Sequence, residues 1–215
     1  MNVVWVRHGE SEANAGGATS HPGEIPLTER GHQQAVELAA AWTRAPDSVV
    51  LSPYLRAMQT AAPLLHRFPH VPRETWNIQE FTYLAYDPTI TTTAEQRRPR
   101  VEAYWQGTDT ESIDGEGAES FAMFMERVQS AKRRLENFSR RGIGSVALFG
   151  HGQFIKAFLW ALHARAVPSE LSIADFALYM NSLTIANASL TTLATDGSRW
   201  LQVGVETDEA LLLSC

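Results

Sequence analysis

Apolar residues cluster in three short runs along the chain, and a segment with helical periodicity follows each run. The runs extend from Val3 to Val6, from Val49 to Leu51 and from Val146 to Phe149. Unbroken apolar runs of this length are typical of parallel strands that helices cover on both faces. The alternation of strand and helix therefore predicts a layered α/β fold.

Four segments have the apolar spacing of amphipathic helices. The first covers about residues 29–43 with Thr28 as its N-cap, and the second begins at Ser52-Pro53, a capping residue followed by a proline. The third and longest covers about residues 120–140, and the fourth follows the last apolar run. The residues expected to face the core are Met58, Ala61, Leu65 and Phe68 in the second helix, Phe121, Phe124, Met125, Val128, Leu135 and Phe138 in the third, and Phe154, Ile155, Phe158, Leu159 and Leu162 in the fourth.

The last part of the chain has the composition of strands. Residues 182–206 are rich in β-branched side chains, and Asp196-Gly197 within them is a hairpin signal. We expect two strands here, the last of them antiparallel at the edge of the sheet. The predicted fold is therefore a three-layer α/β/α sandwich with a mostly parallel sheet.

Residues 76–118 lack the regular pattern of the remainder. They include one expected helix, from Ala94 to Gln106, and an acidic, glycine-containing segment. Because the sheet continues after this excursion, residues 81–118 are expected to form a lid or specificity insertion rather than a linker. Residues 1–215 are expected to form a single domain.

Composition narrows the possible partners. The formal net charge is −6, which argues against nucleic-acid binding, and no apolar run reaches the length of a membrane helix. The single cysteine, Cys215, excludes a disulfide framework, and the first residues do not resemble a secretion signal. We therefore expect a cytoplasmic protein; a homodimer is the alternative to a monomer, and the sequence does not decide between them.

Histidine, arginine and glycine follow the three apolar runs. The first run ends in Arg7-His8-Gly9, the second leads to Ser52 and Arg56, and the third ends in Gly150-His151-Gly152. Ligands of open α/β sheets bind beyond the carboxyl ends of the strands, so these side chains are expected to converge. The glycines let the backbone come close to a ligand, which makes Gly9 and Gly152 candidate phosphate contacts.

A cluster of this composition favours an anion over a metal ion. Arginine repels cations and cannot ligate them, whereas a metal needs three or four suitable ligands. Arg56 is expected in the first turn of its helix, where the helix dipole disfavours a cation unless an anion binds there. No metal and no other cofactor is therefore expected, and the expected partner is a small phosphorylated substrate.

Five motifs, in order, resemble those of the histidine phosphatase superfamily, which includes the cofactor-dependent phosphoglycerate mutases. They are VRHGESEAN at 6–14, LTERGHQQA at 27–35, LSPYLRAMQTA at 51–61, GAESFAMFMERV at 117–128 and GHGQ at 150–153. The segment NASLTTL at 187–193 is similar to the last core strand of that family. The resemblance covers the predicted core and favours the phosphatase branch.

The resemblance implies a role for each matching residue. His8 would be the nucleophile that forms a phosphohistidine, and Arg7, Arg56 and His151 would hold the phosphoryl oxygens, with Asn14 as a polar neighbour. Glu80 would donate the proton to the leaving oxygen; Asp87 and Glu119 are further carboxylates considered for this role. The implied activity is metal-independent hydrolysis of a phosphomonoester.

Two alternatives remain open at this point. A mutase would need a second set of cationic groups, for which Arg97, Arg98 and Arg100 in the insertion are candidates, although they are equally typical of a solvated helix face. A non-catalytic phospho-ligand binder could use the same fold, because fold does not determine function. The natural substrate does not follow from the sequence.

Overall fold

A single mixed sheet forms the centre of the protein. A computed structural model describes residues 1–163 and 172–206 of the chain. The strands are β1 (Asn2–Arg7), β2 (Ser48–Leu51), β3 (Arg73–Thr75), β4 (Ser145–Gly150), β5 (Leu190–Thr195) and β6 (Trp200–Glu206). Their order is β3-β2-β4-β1-β5-β6; the first four of these are mutually parallel, whereas β5 runs antiparallel to β1 and β6 antiparallel to β5.

Helices cover both faces of the sheet. Their bounds are Glu29–Ala41 for α1, Leu55–Arg67 for α2, Ala94–Trp105 for α3, Phe121–Arg140 for α4, Gly152–His163 for α5 and Ile173–Ser182 for α6. Buried residues of α1 and α2 belong to one apolar cluster, and those of α4, α5 and α6 belong to another. The protein is therefore the three-layer α/β/α sandwich that the sequence predicted.

Alternation along the central strands divides the core between the two faces. In β1, Val3 and Trp5 pack in the cluster with α4 to α6, whereas Val6 packs with α1 and α2. In β4, Leu148 and Phe149 are divided in the same way. Because successive strand residues point to opposite faces, a continuous apolar run serves both layers, which explains the three runs in the sequence.

Helix α2 begins later than its sequence suggested. It starts at Leu55 with Tyr54 as N-cap, and Ser52 lies before it. Its buried residues are Arg56, Ala57, Thr60, Ala61 and Leu64, whereas Met58 is 39% exposed. The predicted core face was thus wrong at Met58, because the polar Arg56 and Thr60 take inward positions.

The sequence analysis did not predict β3 and α6, and it predicted one antiparallel edge strand where the structure has two. Strand β3 consists of exposed residues, so it lacks an apolar run, and α6 has few fully buried positions, chiefly Ile173 and Phe176. The antiparallel edge comprises two strands, β5 and β6, rather than the last one alone. Cys215 lies outside the described residues.

The segment 81–118 contacts the loop that follows β1. Thr19 and Thr92 form an antiparallel bridge, with N–H to carbonyl distances of 3.0 and 2.9 Å. Helix α3 within this segment has a capping box formed by Thr93 and Gln96. In the part of the chain described, no helix is long and apolar enough to cross a membrane.

Candidate active site

The carboxyl ends of β1, β4 and β2 are adjacent in the sheet and are joined by backbone hydrogen bonds. The N–H of His8 donates to the carbonyl of Gly150 at 3.0 Å, and the N–H of Ser52 donates to that of Phe149 at 3.0 Å. Strand β4 lies between the other two. This order brings the polar residues that follow the three strands to one edge, as the sequence predicted.

His8 is held in one tautomer by its two neighbours. Its Nδ1 lies 2.7 Å from the carbonyl oxygen of Gly9, which can only accept, so Nδ1 carries the proton. Its Nε2 accepts a hydrogen bond of 3.2 Å from Nε of Arg56, which can only donate. Nε2 is therefore the unprotonated nitrogen, and its lone pair is engaged by the guanidinium.

Burial keeps the His8 imidazole neutral. The residue is 3% exposed. Desolvation, followed by the positive charges of Arg56 and Arg7, holds the pKa of His8 well below 6.5, against the opposing effect of the hydrogen bond to Gly9. A neutral imidazole is the nucleophilic form of histidine.

Arg56 is the second residue of α2 and is almost fully buried. Its Nη1 donates to the carbonyl of Pro22 at 2.6 Å, and its guanidinium carbon lies 5.0 Å from the centre of the Tyr54 ring. Burial lowers the pKa of Arg56, while the carboxylate of Glu80 acts in the opposite direction. The guanidinium is thus fixed beside Nε2 of His8 and retains donors for a ligand.

Arg7 approaches the same point from the end of β1. Its Nη1 donates to the carbonyl of Ile185, whereas Nε is buried without a hydrogen-bond partner among the described residues. A Cβ atom on Gly152 would lie 3.3 Å from this Nε, so the glycine leaves room for the guanidinium. Burial lowers the pKa of Arg7, opposed by the charge of Glu80.

His151 lies beside His8, with 5.1 Å between the ring centres. Its Nε2 is 2.7 Å from Oγ of Ser52, and this Oγ also accepts the N–H of Tyr54 at 3.3 Å. That arrangement allows Ser52 to donate to Nε2, with the ring proton on Nδ1. Within the described part of the chain, Nδ1 has no partner. Complete burial, then the charge of Arg56, holds the pKa of His151 well below 6.5.

The four side chains have the charge and the free donors that would suit an anion, and they are called the anion site below. Two buried guanidiniums face two neutral imidazoles, and buried nitrogens of Arg7 and His151 are left without partners. A tetrahedral oxyanion provides acceptors for such donors and opposes the cationic charge. Among residues 1–163 and 172–206, no group of three or more His, Cys, Asp or Glu side chains could hold a metal ion.

Glu80 lies at the amino end of α5, next to this anion site. Its carboxylate accepts the N–H groups of Gln153 and Phe154 at 3.1 and 3.2 Å. Its negative charge raises the pKa of both Arg7 and Arg56, against the effect of burial. Of the carboxylates considered from the sequence, Glu80 is the one that the structure brings to the cluster.

The other two carboxylates have different surroundings. Asp87 is exposed, and hydrogen bonds from the hydroxyl and N–H of Thr89 lower its pKa. Glu119 pairs with Arg127, with 2.7 Å between Oε2 and Nε. Glu119 is therefore neutralised by its own arginine, as expected of a structural acid.

Asn14 and Gly9 lie at the rim of the site. Oδ1 of Asn14 accepts hydrogen bonds from Oγ of Ser11 at 2.9 Å and from Nδ2 of Asn187 at 3.1 Å, which fix the orientation of its amide. The N–H of Gly9 donates to Oγ1 of Thr60 at 3.0 Å, so it is already engaged. A Cβ on Gly9 would lie 2.6 Å from the carbonyl oxygen of Gly31, and the residue permits close contact with α1.

Sequence reasoning missed three residues that hold the site. Ser52 was interpreted as a helix cap but contacts His151, and Thr60 bonds both Gly9 and the Arg56 carbonyl. Asn187 donates to the carbonyls of His8 and Gly9 at 3.0 and 3.2 Å. A signal existed for all three, because Ser52 and Thr60 lie in the LSPYLRAMQTA motif and Asn187 is the first residue of the NASLTTL segment.

A cavity of about 350 Å³ opens beside the anion site. Arg56 and Glu80 line its inner end, and its walls come from the β1–α1 loop and from the insertion. The three arginines of the insertion differ in their partners. Arg100 pairs with Asp114 and Arg98 with Glu95, whereas Arg97, which lines the cavity with Arg100, donates to the carbonyl and hydroxyl of Thr92.

The fold and the site together define an α/β enzyme scaffold whose anion site is suited to phosphoryl groups. The model of the histidine phosphatase superfamily (branch 1) matches residues 3–207. The chain belongs to this superfamily, and it is a phosphatase.

Curated relatives agree with this assignment. Adenosylcobalamin/alpha-ribazole phosphatase of Salmonella typhimurium is 31% identical over 150 residues, which cover 65% of this chain and 69% of the relative. Among solved structures, alpha-ribazole phosphatase from Shigella flexneri has a TM-score of 0.75 at 19% identity, covering 95% of this chain and 96% of that one. A mycobacterial glucosyl-3-phosphoglycerate phosphatase in complex with VO3 has a TM-score of 0.70 at 24% identity, covering 94% and 97%.

The two depressed histidine pKa values predict a loss of stability in mild acid. In the unfolded chain, the pKa values of His8 and His151 return to about 6.5. Below this pH, the unfolded state therefore binds more protons than the folded state. The free energy of unfolding is therefore unaffected by these two groups above pH 6.5. Below pH 6.5 it decreases as the pH falls, by up to ~1.4 kcal/mol per pH unit for each histidine.

Urea unfolding between pH 7.5 and 5.5 measures this effect. The free energy of unfolding should decrease more steeply for the native protein than for the His8→Asn variant, which lacks one of the two groups. Parallel curves for the two proteins would show that His8 is not held neutral by burial.

Proposed function

We propose that this phosphatase hydrolyses a small phosphorylated metabolite without a metal ion, through a phosphohistidine at Nε2 of His8. One observation carries the proposal: His8 is held as the neutral Nδ1–H tautomer by Gly9, with Nε2 beside a buried guanidinium. The site thus contains both a nucleophile and the positive charge that stabilises a phosphoryl group in transfer.

In the first step, Nε2 of His8 attacks phosphorus and the bond from phosphorus to the ester oxygen breaks. Arg7, Arg56 and His151 hold the non-bridging oxygens, and Arg56 must exchange its hydrogen bond to Nε2 for one to the substrate. The modified imidazole gains positive charge, which the hydrogen bond from Nδ1 to the Gly9 carbonyl stabilises. Glu80, in its protonated form, transfers its proton to the departing oxygen.

In the second step, water attacks the phosphohistidine. The carboxylate of Glu80 accepts the proton of this water, the bond between phosphorus and Nε2 breaks, and inorganic phosphate leaves. The enzyme returns to its starting state, with no net change besides ester hydrolysis. The arginines supply the charge that Mg²⁺ supplies in other phosphoryl-transfer enzymes.

The cavity beside Glu80 and Arg56 would accept the rest of the substrate. Its volume of about 350 Å³ is in the lower range for small-molecule pockets, which supports a metabolite rather than a folded protein as substrate. Because a curated relative acts on alpha-ribazole phosphate, as its name states, this ester is the first specific substrate to test.

A mutase is the second candidate, favoured by Arg97 alone. This arginine lines the cavity, and no carboxylate among the described residues pairs with it. The partners of Arg98 and Arg100 are acidic, which weakens the case for a second anion site built from all three. Hydrolysis is therefore the preferred activity.

The first prediction concerns activity without a metal. We expect release of phosphate from p-nitrophenyl phosphate in the presence of EDTA, and loss of this activity by at least ~10³-fold in His8→Ala, since removal of a nucleophile typically costs this much or more. His66→Ala, at an exposed position in the last turn of α2, is the matched control and should retain activity. A panel including alpha-ribazole phosphate and 3-phosphoglycerate ranks the substrates.

Other outcomes would redirect the proposal. Retained activity in His8→Ala would contradict the mechanism. Isomerisation of phosphoglycerate when its bisphosphate is present, without net hydrolysis, would show a mutase. Binding of phosphate or vanadate without any turnover would show a phospho-ligand binder.

The second prediction concerns the proton donor. Glu80→Gln should reduce turnover of an alkyl phosphate by ~10²-fold or more, because an alkoxide leaves poorly without a proton. The same variant should affect p-nitrophenyl phosphate much less, because this leaving group needs little assistance. Equal losses on the two esters would reject Glu80 as the acid.

A further inference from the structure

The segment that carries Glu80 has no regular secondary structure of its own. Residues 76–82 follow β3 and lie outside every helix and strand. A proton donor must nevertheless be held within hydrogen-bond reach of the leaving oxygen. The carboxylate of Glu80 accepts hydrogen bonds from the first turn of α5. These bonds do not fix the backbone of residues 76–82, so other contacts must hold it.

Arg127, on α4, holds the amino-terminal part of this segment. Its Nη1 donates to the carbonyl oxygens of Asn77 and Gln79, both at 3.0 Å. The two carbonyls lie three residues and one residue before Glu80. One guanidinium nitrogen thus fixes two points of the backbone that leads to the acid.

Glu119, the residue before the N-cap of α4, holds the carboxyl-terminal part. Its Oε1 accepts the N–H of Thr82 at 3.1 Å, and its own N–H donates to the Thr82 carbonyl at 2.9 Å. Its Oε2 accepts from Nε of Arg127 at 2.7 Å. The ion pair therefore links the bonds on one side of Glu80 to those on the other.

The ion pair is shielded from water. The side chains of Arg127 and Glu119 are 12% and 14% exposed. The guanidinium carbon lies 5.0 Å from the ring centre of Phe124 and 5.3 Å from that of Phe154. Phe154 also donates its N–H to Glu80, so the ring and the backbone of one residue contact the ion pair and the acid.

We propose that Arg127 and Glu119 form a positioning clamp for Glu80, whose role is to place this carboxyl group for proton transfer. The inference rests on the proposed function, since it takes Glu80 as the proton donor. Neither clamp residue is hydrogen-bonded to the four side chains of the anion site in the contacts described above. The positive charge of Arg127 helps to lower the pKa of His151, and Arg127→Lys keeps that charge. The proposed positioning effect acts through the backbone of the segment that both residues hold.

A clamp of this kind has a specific kinetic signature. Misplacement of a catalytic group by about 1 Å costs up to ~10²-fold in rate. The loss should appear only for substrates that need the proton. A purely structural ion pair would instead lower the turnover of every ester in proportion to the loss of folded enzyme.

The test compares Arg127→Lys and Glu119→Gln with native enzyme on two esters. Lysine keeps the charge but cannot reproduce the planar fork that binds two carbonyls and a carboxylate. We expect both variants to lose ~10-fold to 10²-fold on an alkyl phosphate and less than about threefold on p-nitrophenyl phosphate. Far-ultraviolet circular dichroism and thermal unfolding measure the folded fraction at the assay temperature.

Arg134→Lys is the matched control. Arg134 also lies on α4, pairs with a carboxylate, Glu74, at 2.8 Å and stacks on an aromatic ring, that of Trp76, at 4.0 Å. It contacts the Glu80 segment at the ring of Trp76, four residues before the acid, and donates to none of the segment's carbonyls in the contacts described. This variant should keep native activity on both esters.

A double variant separates the clamp from the acid. In the Glu80→Gln background, Arg127→Lys should cause no further loss on the alkyl phosphate, because two residues acting through one step are not additive. A further loss of the same size as in the native background would overturn the clamp. Equal losses on the two esters in both single variants would overturn it as well.

Failure of the clamp and failure of the proposed acid give different results. If Glu80→Gln discriminates between the esters and the clamp variants do not, the clamp alone is wrong. If Glu80→Gln itself fails to discriminate, the assignment of the acid is wrong and the clamp falls with it.

Discussion

The concentration of buried positive charge at one edge of the sheet is the constraint on which the structure of the site depends. The Arg56 guanidinium is hydrogen-bonded to His8, whose ring lies beside that of His151, and the charge of Arg7 acts on both histidines. Glu80 is the nearby carboxylate whose charge acts on both arginines. Such charge is costly without a counterion. The protein limits the cost by keeping both histidines neutral and by giving each arginine one backbone carbonyl, that of Ile185 for Arg7 and that of Pro22 for Arg56.

Close packing supports the turn that carries His8 and Gly9. The turn after β1 and the start of α1 are in contact at two glycines, since a Cβ on Gly31 would lie 2.0 Å from the Glu10 carbonyl oxygen and one on Gly9 would meet Gly31. This contact orients the Gly9 carbonyl, which fixes the tautomer of His8. Thr60 adds a second support, because it joins the Gly9 N–H to the Arg56 carbonyl. His8 and Arg56 are thus connected through the same hydrogen-bonded residues, Gly9 and Thr60.

The sequence was sufficient to predict the features that depend on short stretches of chain. The apolar runs gave β1, β2 and β4, and the residues directly after them gave the cluster of Arg7, His8 and His151. Helix α2 shows the limit of this approach. Its apolar spacing predicts that Met58 faces the core, whereas in the structure Arg56 and Thr60 are buried and Met58 is exposed. Hydrophobic periodicity cannot predict this, because it treats an arginine as a surface residue.

Contacts between distant segments could not be predicted in this way. Arg127 lies in the GAESFAMFMERV motif, but nothing in that motif indicates that its guanidinium is hydrogen-bonded to the carbonyls of Asn77 and Gln79. Strand β3 has no apolar residues because it lies at the sheet edge, and Ser52 has the sequence of a cap but contacts a histidine 99 positions later. In each case the decisive partner is remote in the chain.

In the proposed mechanism, Nε2 of His8 carries the phosphoryl group during turnover, and this can be observed directly. Enzyme mixed with p-nitrophenyl phosphate should be quenched in alkali, where phosphohistidine survives, and then digested and analysed by mass spectrometry and by ³¹P NMR. The account predicts phosphate on the peptide that contains His8, bonded to Nε2 rather than Nδ1, and none in the His8→Ala protein. Phosphate on another residue, or on Nδ1 of His8, would contradict it.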